Sequence, residues 1–124
     1  MNFEKLTNKQ KEIVHSEACI WYAKQLYEKH EQLVKFVAPF YNVTYEDIKS
    51  GSREGNISEA RQMCAYFLKN YTKLSLTEIA KIVGITNHAS VIKANKNINL
   101  YIETNQLSID SFDRLEHWVK YLLK

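Results

Sequence analysis

Ser75-Leu76-Thr77-Glu78-Ile79-Ala80-Lys81-Ile82-Val83-Gly84-Ile85-Thr86-Asn87-His88-Ala89-Ser90-Val91-Ile92-Lys93-Ala94-Asn95-Lys96 is the stretch on which the fold turns. Two amphipathic segments meet at Gly84. Ser75 and Glu78 have the spacing of a capping box, in which side chains satisfy backbone amides left free in the first helical turn. Ile79 and Val83, four apart, face one side. Gly84 admits the left-handed backbone that ends a helix, and Asn87 is a strong cap for the helix that follows. A short helix, a glycine turn and a second capped helix are helix-turn-helix grammar. On the second helix Val91, Ala94, Ile98 and Ile102 stack on one side, while Ala89, Lys93 and Lys96 share the other. One face packs and the other is presented.

The charge pattern sharpens this asymmetry. Seventeen basic and 14 acidic side chains give a formal net charge of +3. Lys81, Lys93 and Lys96 stand between Glu78 and Glu103 with no acidic residue among them. A surplus equal to that of the whole chain is therefore concentrated here. The small or polar start of the helix (Asn87, His88, Ala89, Ser90) lets the backbone approach a DNA major groove, and its free amides favour phosphate. From these residues alone, a capped and solvated helix is an equally good reading. Asn87 embodies the choice, because it can cap its own helix or pair bidentately with adenine, and the two roles compete for one side chain.

Outward from the motif, helical signals dominate and strand alternation is nearly absent. Thr7 with Gln10 predicts a cap for a first helix to about Lys29, with Ile13, Ile20 and Tyr27 on one face and Val14 and Trp21 beside them. A second helix is predicted from His30 to Tyr41, with Pro39 near its end and Asn42 as its stop. Thr44 and Asp47 predict a short capped helix ending near Ser50, followed by a loop from Gly51 to Asn56 that carries Arg53. The next helix is expected from Ser58 to Tyr71, with Ala60, Met63, Cys64 and Phe67 facing the core and Arg61, Gln62 and Lys69 off that stripe. Ser108 is expected to open a final helix bearing Ile109, Phe112, Leu115, Val119 and Leu122.

The 124 residues, 45% hydrophobic and 25% charged with three Gly and one Pro, suit one folded domain rather than a disordered chain. The expected architecture is all-α: a compact helical domain with a helix-turn-helix over 37–102, an N-terminal helical extension over 1–36 and a C-terminal helix over 103–124. No catalytic or metal site is expected. Histidines 15, 30, 88 and 117 lack ligand spacing, and Cys19 and Cys64 form no CxxC pair and read as reduced thiols. Cys64 reads as buried and structural, His15, His30 and His117 as surface residues, and the aromatic residues at helical spacing, Trp118 among them, as mainly core. No signal peptide and no apolar run of ~20 residues is present, which points to a cytoplasmic protein that does not enter membranes.

Specific resemblance appears in order and spacing together. Val37-Ala-x-Phe-Tyr-x-Val43, Asp47-Ile48, Ala60-Arg61-Gln62-Met63, Ser75-Leu76-x-Glu78-Ile79 and Gly84-x-x-x-His88-x-Ser90-Val91 resemble, without a gap from Val37 to Ile98, the C-terminal DNA-binding domain (domain IV) of the bacterial replication initiator DnaA. The resemblance implies a helix-turn-helix of the kind shared with the Trp repressor, binding double-stranded DNA. It implies that Arg53 enters the minor groove. It also implies that Arg61, Gln62, Lys69 and the helix start Ser75, Leu76 and Thr77 meet the phosphate backbone. The recognition helix would read the major groove with Thr86, Asn87, His88, Ala89 and Ser90, supported by Lys93 and Lys96. That family's helix begins Gly-Gly-Arg-Asp-His-Thr-Thr-Val, so Thr86, Asn87 and Ala89 depart from it and imply a different target sequence. Glu54, Gly55 and Glu59 stand where that family is positive, which implies weaker phosphate affinity.

A GxxxxGK[ST] phosphate loop is absent, so no nucleotide and no cofactor are expected. Two functions follow. One is sequence-specific binding of double-stranded DNA linked to replication initiation or its regulation. The other is an adaptor that kept the fold and lost specific DNA binding, docking replication proteins, or self-associating, through aromatic terminal helices.

Overall fold

The computed structural model describes residues 29–123, so the expected helix from Thr7, with Cys19 and Trp21, lies outside the described residues. Helices are the only regular elements among the described residues, as the all-α reading expects. Helix α1 runs through residues 29–37 and passes into a 3-10 turn, Ala38–Tyr41. Then come α2 (Tyr45–Lys49), α3 (Gly55–Tyr71), α4 (Leu76–Val83), α5 (His88–Glu103) and α6 (Phe112–Leu122).

The tightening at Ala38 has a simple cause. Pro39 has no amide hydrogen for the carbonyl four residues back, and its ring crowds that carbonyl, so the α-helical ladder cannot continue through it. Asn42 ends the segment in the left-handed conformation, φ 56° and ψ 38°, and its amide donates to Pro39 O at 3.2 Å. Thr44 and Asp47 then close a full capping box: Asp47 N–H donates to Thr44 Oγ1, and Thr44 N–H to Asp47 Oδ2, each at 3.0 Å.

Helix α3 is the axis of the domain. Ala60, Met63, Cys64 and Phe67 are fully buried, and Ala65, Tyr66 and Leu68 are buried too, so neighbours wrap it on most sides. It starts at Gly55, three residues before the expected Ser58, with Ser58 N–H donating to Glu54 O at 2.7 Å. Gly55 and Asn56 are poor helix formers. Ile57, buried in the same turn, offsets that weakness, since burying such a side chain contributes roughly 1.5–3 kcal/mol. Arg61, expected off the core stripe, is buried as well, with 8% of its surface exposed.

Three further expectations are corrected by tertiary contacts. Ser108 does not cap α6: its hydroxyl and amide both donate to Glu59 Oε2, at 2.7 and 3.2 Å, and the helix begins at Phe112. His30 is buried rather than on the surface, and burial pushes its imidazole below the usual value, helped by Lys29 and opposed by Glu78. Trp118 is 49% exposed rather than core.

The rest of α6 docks as its apolar stripe requires. Phe112 stacks on Phe67 with centroids 6.1 Å apart and planes 6° from parallel. Leu115 and Val119 are fully buried, and Tyr71 OH donates to Glu116 Oε2 at 2.9 Å.

Candidate nucleic-acid interface

Local chemistry sets the helix-turn-helix. At the start of α4, Glu78 N–H donates to Ser75 Oγ at 3.2 Å, while the Ser75 hydroxyl donates to Glu78 Oε1 at 3.0 Å. The expected box is thus closed on the hydroxyl instead of the Ser75 amide. Gly84 ends α4 at φ 77° and ψ 26°, and Ile85 N–H donates to Ala80 O at 2.8 Å, the wrapped hydrogen bond of a glycine-ended helix. The turn also presses on α2: a β-carbon on Gly84 would stand 2.8 Å from Lys49 O and 2.9 Å from its α-carbon.

The next helix opens on Asn87, whose Oδ1 accepts from Ser90 N–H at 3.0 Å and from the Ser90 hydroxyl at 3.4 Å. Of the two roles open to Asn87, this geometry shows the cap. A bidentate pair with adenine needs the same oxygen, so the Nδ2 amide hydrogens are what the cap leaves over to donate. Thr86, Asn87, His88 and Ala89 are exposed and Ser90 is partly buried. Val91, Ala94 and Ile98 anchor the opposite face in the core.

Helix α5 crosses α3, and two amide pairs tie the crossing. Asn97 Nδ2 donates to Gln62 Oε1 at 3.1 Å, and Asn70 Nδ2 to Asn95 Oδ1 at 2.7 Å. Gln62 Nε2 donates in turn to Ser58 Oγ at 3.1 Å, so both ends of Gln62 are engaged. Beside this chain lies an open cleft of about 440 Å³. Arg53, Arg61 and Gln62 line it together with Thr86, Ser90 and Lys93 of the recognition segment. Arg61 is held firmly: Nε donates to Ile48 O at 2.6 Å, Nη1 to Ser52 O at 2.8 Å and Nη2 to Asp47 O at 3.4 Å.

Electrostatics favour an anion at this surface. Among the described residues the ion pairs are Lys49 with Glu31 and Lys120 with Glu116, both at 3.7 Å. Arg53, Lys69, Lys93 and Lys96 are exposed and form none. Glu59, one of the acidic residues expected to weaken phosphate affinity, turns its carboxylate to Ser108.

The candidate residues fall into three groups. Arg53, Arg61, Gln62, Thr86, Ser90 and Lys93 meet at the cleft. Asn87, His88, Ala89 and Lys96 are exposed on the same recognition segment outside the cleft lining. Lys69 and the start of α4 stand near the other end of α3, Lys69 being ~12 Å along the axis from Arg61 at 1.5 Å per residue; there Ser75 and Thr77 are exposed and Leu76 packs partly against the core. Sequence reasoning missed Ser58 and Asn97, which border the cleft. Asn97 lies four residues after Lys93, on the same helical face, and that spacing was its available signal.

Cys64 is fully buried, and burial pushes its thiol up, away from the reactive thiolate. No group of three His, Cys, Asp or Glu able to hold a metal occurs among the described residues, and none of their helices is long and apolar enough to cross a membrane.

Residues 30–98 match the family described as the bacterial DnaA protein helix-turn-helix. Similar proteins include the chromosomal replication initiator protein DnaA of Wolbachia pipientis wMel, 34% identical over 90 residues, which cover 73% of this chain and 20% of that protein. The DnaA of Borrelia duttonii is 34% identical over 89 residues, covering 68% and 18%. That of Gloeobacter violaceus is 41% identical over 64 residues, covering 52% and 14%. The chain thus spans a fifth or less of the length of these relatives. No solved structure matches it.

Proposed function

Because the chain belongs to the bacterial DnaA helix-turn-helix family, we propose that it binds double-stranded DNA, with α5 in the major groove and Arg53 in the adjacent minor groove. The carrying observation is the cleft itself: the start of α5 at Thr86 and Ser90, Lys93 and the unpaired Arg53 line one open groove. Helix-turn-helix proteins place the N-terminal residues of the recognition helix on base edges. Here Thr86, Asn87, His88, Ala89 and Ser90 hold those positions. Lys69, Lys96 and the start of α4 at Ser75, Leu76 and Thr77 meet phosphates and set the register, and such contacts position without specifying.

The relatives' name, chromosomal replication initiator protein, supports a role at sequences linked to replication initiation or to its regulation. The target differs from the family's own, because Asn87 presents the donors of its amide nitrogen and Ala89 only a methyl group, which suits thymine.

Binding of duplex DNA across a salt series tests the proposal. The expected result is a steep loss of affinity with rising salt, with log K falling by about 0.9 per log unit of salt for each phosphate neutralised. Lys69→Gln should weaken all sequences alike and flatten the slope by one such step. Absence of binding at low ionic strength and high micromolar protein sinks the reading.

A second reading, an adaptor docking a protein partner, is favoured by one observation. Trp118 and Tyr121 on α6 are 49% and 72% exposed, with rings 6.3 Å apart and His117 against Trp118. Trp118→Ala separates the two functions, since DNA affinity should survive it.

A further inference from the structure

The backbone between Lys49 and Ser52 is gripped from two directions. On one side the helix-turn-helix packs against it through Gly84, so closely that a β-carbon would meet Lys49 O at 2.8 Å. On the other side Arg61, projecting from α3, donates to Asp47 O, Ile48 O and Ser52 O. Asp47 and Ile48 lie in the last turn of α2, where Asp47 O also accepts from Ser50 N–H at 3.2 Å, and Ser52 lies in the loop one residue before Arg53. Side chains of the same loop add to the hold: Ser50 Oγ donates to Asp47 O at 2.6 Å and Ser52 N–H to Ser50 Oγ at 3.2 Å. One guanidinium therefore joins the end of α2 to the loop, and the same end of α2 is seated on the turn that launches α5.

We propose that Arg61 is a positioning residue: it holds the loop at Ser52 so that Arg53 keeps a set spacing from the recognition helix, and the two probes enter neighbouring grooves as one unit. The proposal rests on the DNA-binding reading. It differs from what the family resemblance implies for Arg61, a contact with phosphate. The observations favour positioning, because three of the five guanidinium N–H groups are directed at backbone carbonyls and only 8% of the residue is exposed. Lysine could supply the same charge to a phosphate, but not a planar fork to three fixed acceptors.

The test compares Arg61→Lys with the wild type by selection from random duplex DNA. Positioning predicts that discrimination falls about tenfold or more at the minor-groove positions read by Arg53, while major-groove preference stays. It also predicts that Arg61→Lys adds nothing further in an Arg53→Ala background. A phosphate contact predicts that Arg61→Lys keeps affinity and motif, an outcome that overturns the proposal.

A measurement on the wild-type chain covers the case in which the variant fails to fold. The Arg61 Nε–H resonance should exchange slowly and stay in place when DNA is added; its movement on binding overturns the proposal. Trypsin cleavage after Arg53 gives a readout without DNA and should accelerate in folded Arg61→Lys, whereas an unchanged rate removes the clamp. If the wild-type chain binds no duplex at all, the DNA reading itself fails and the proposal falls with it, whatever the exchange and cleavage data show.

Discussion

The backbone of Gly84 lies against that of Lys49, leaving 2.8 Å between Lys49 O and the place a β-carbon would occupy. The glycine is thus required twice, by its left-handed φ of 77° and by the neighbour it touches. Gly84→Ala should cost roughly 2–4 kcal/mol, combining about 1–2 for the left-handed conformation with the overpacking of a closed contact. Denaturant unfolding measures it. A loss below about 1 kcal/mol means that α2 moves aside easily, and the seat between α2 and the turn is soft.

Asn87 separates stability from recognition. Asn87→Asp keeps the capping oxygen and places a negative charge at a helix start, so its stability should match or slightly exceed the wild type. Asn87→Ala should lose about 1 kcal/mol. Asp has no outward donor, so its selected DNA motif should shift toward cytosine at one position. An identical motif for wild type and Asn87→Asp shows that this residue reads no base and only caps.

His30 makes stability depend on pH. Its folded pKa lies below the usual 6.5, through burial first and Lys29 second, against the pull of Glu78. The native state therefore prefers neutral imidazole, while the unfolded chain takes up a proton as pH falls past 6.5. The contribution is complete above that value and is lost as pH drops through it toward the folded pKa. His30→Gln should flatten the fall in unfolding midpoint over this window. If the variant falls as steeply as the wild type, another group is responsible.

Much of the domain was legible along the chain, because its signals are local. Thr44 with Asp47, Gly84 and Asn87 act within a few residues, and each does what its spacing implies. The buried stripes of α3 and α5 follow from periodicity in the same way. Ser108 failed as a cap because its partner, Glu59, is 49 residues away. Gly55 and Asn56 look like loop but are helical, since Ile57 finds a buried place that propensity cannot register.

The sequence by itself determined the all-α class, the helix-turn-helix, the family and the charge surplus of the recognition segment. Those rest on short-range capping, on periodic burial and on residue order, all of which are written in linear spacing. Only the tertiary structure decided that Arg61 turns inward to three carbonyls, that His30 is buried and that Arg53 and Lys93 line one cleft. An arginine's charge and length are the same wherever it stands. Which acceptors surround it depends on segments that meet only after the chain has folded, and here those are the end of α2 and the loop before Arg53.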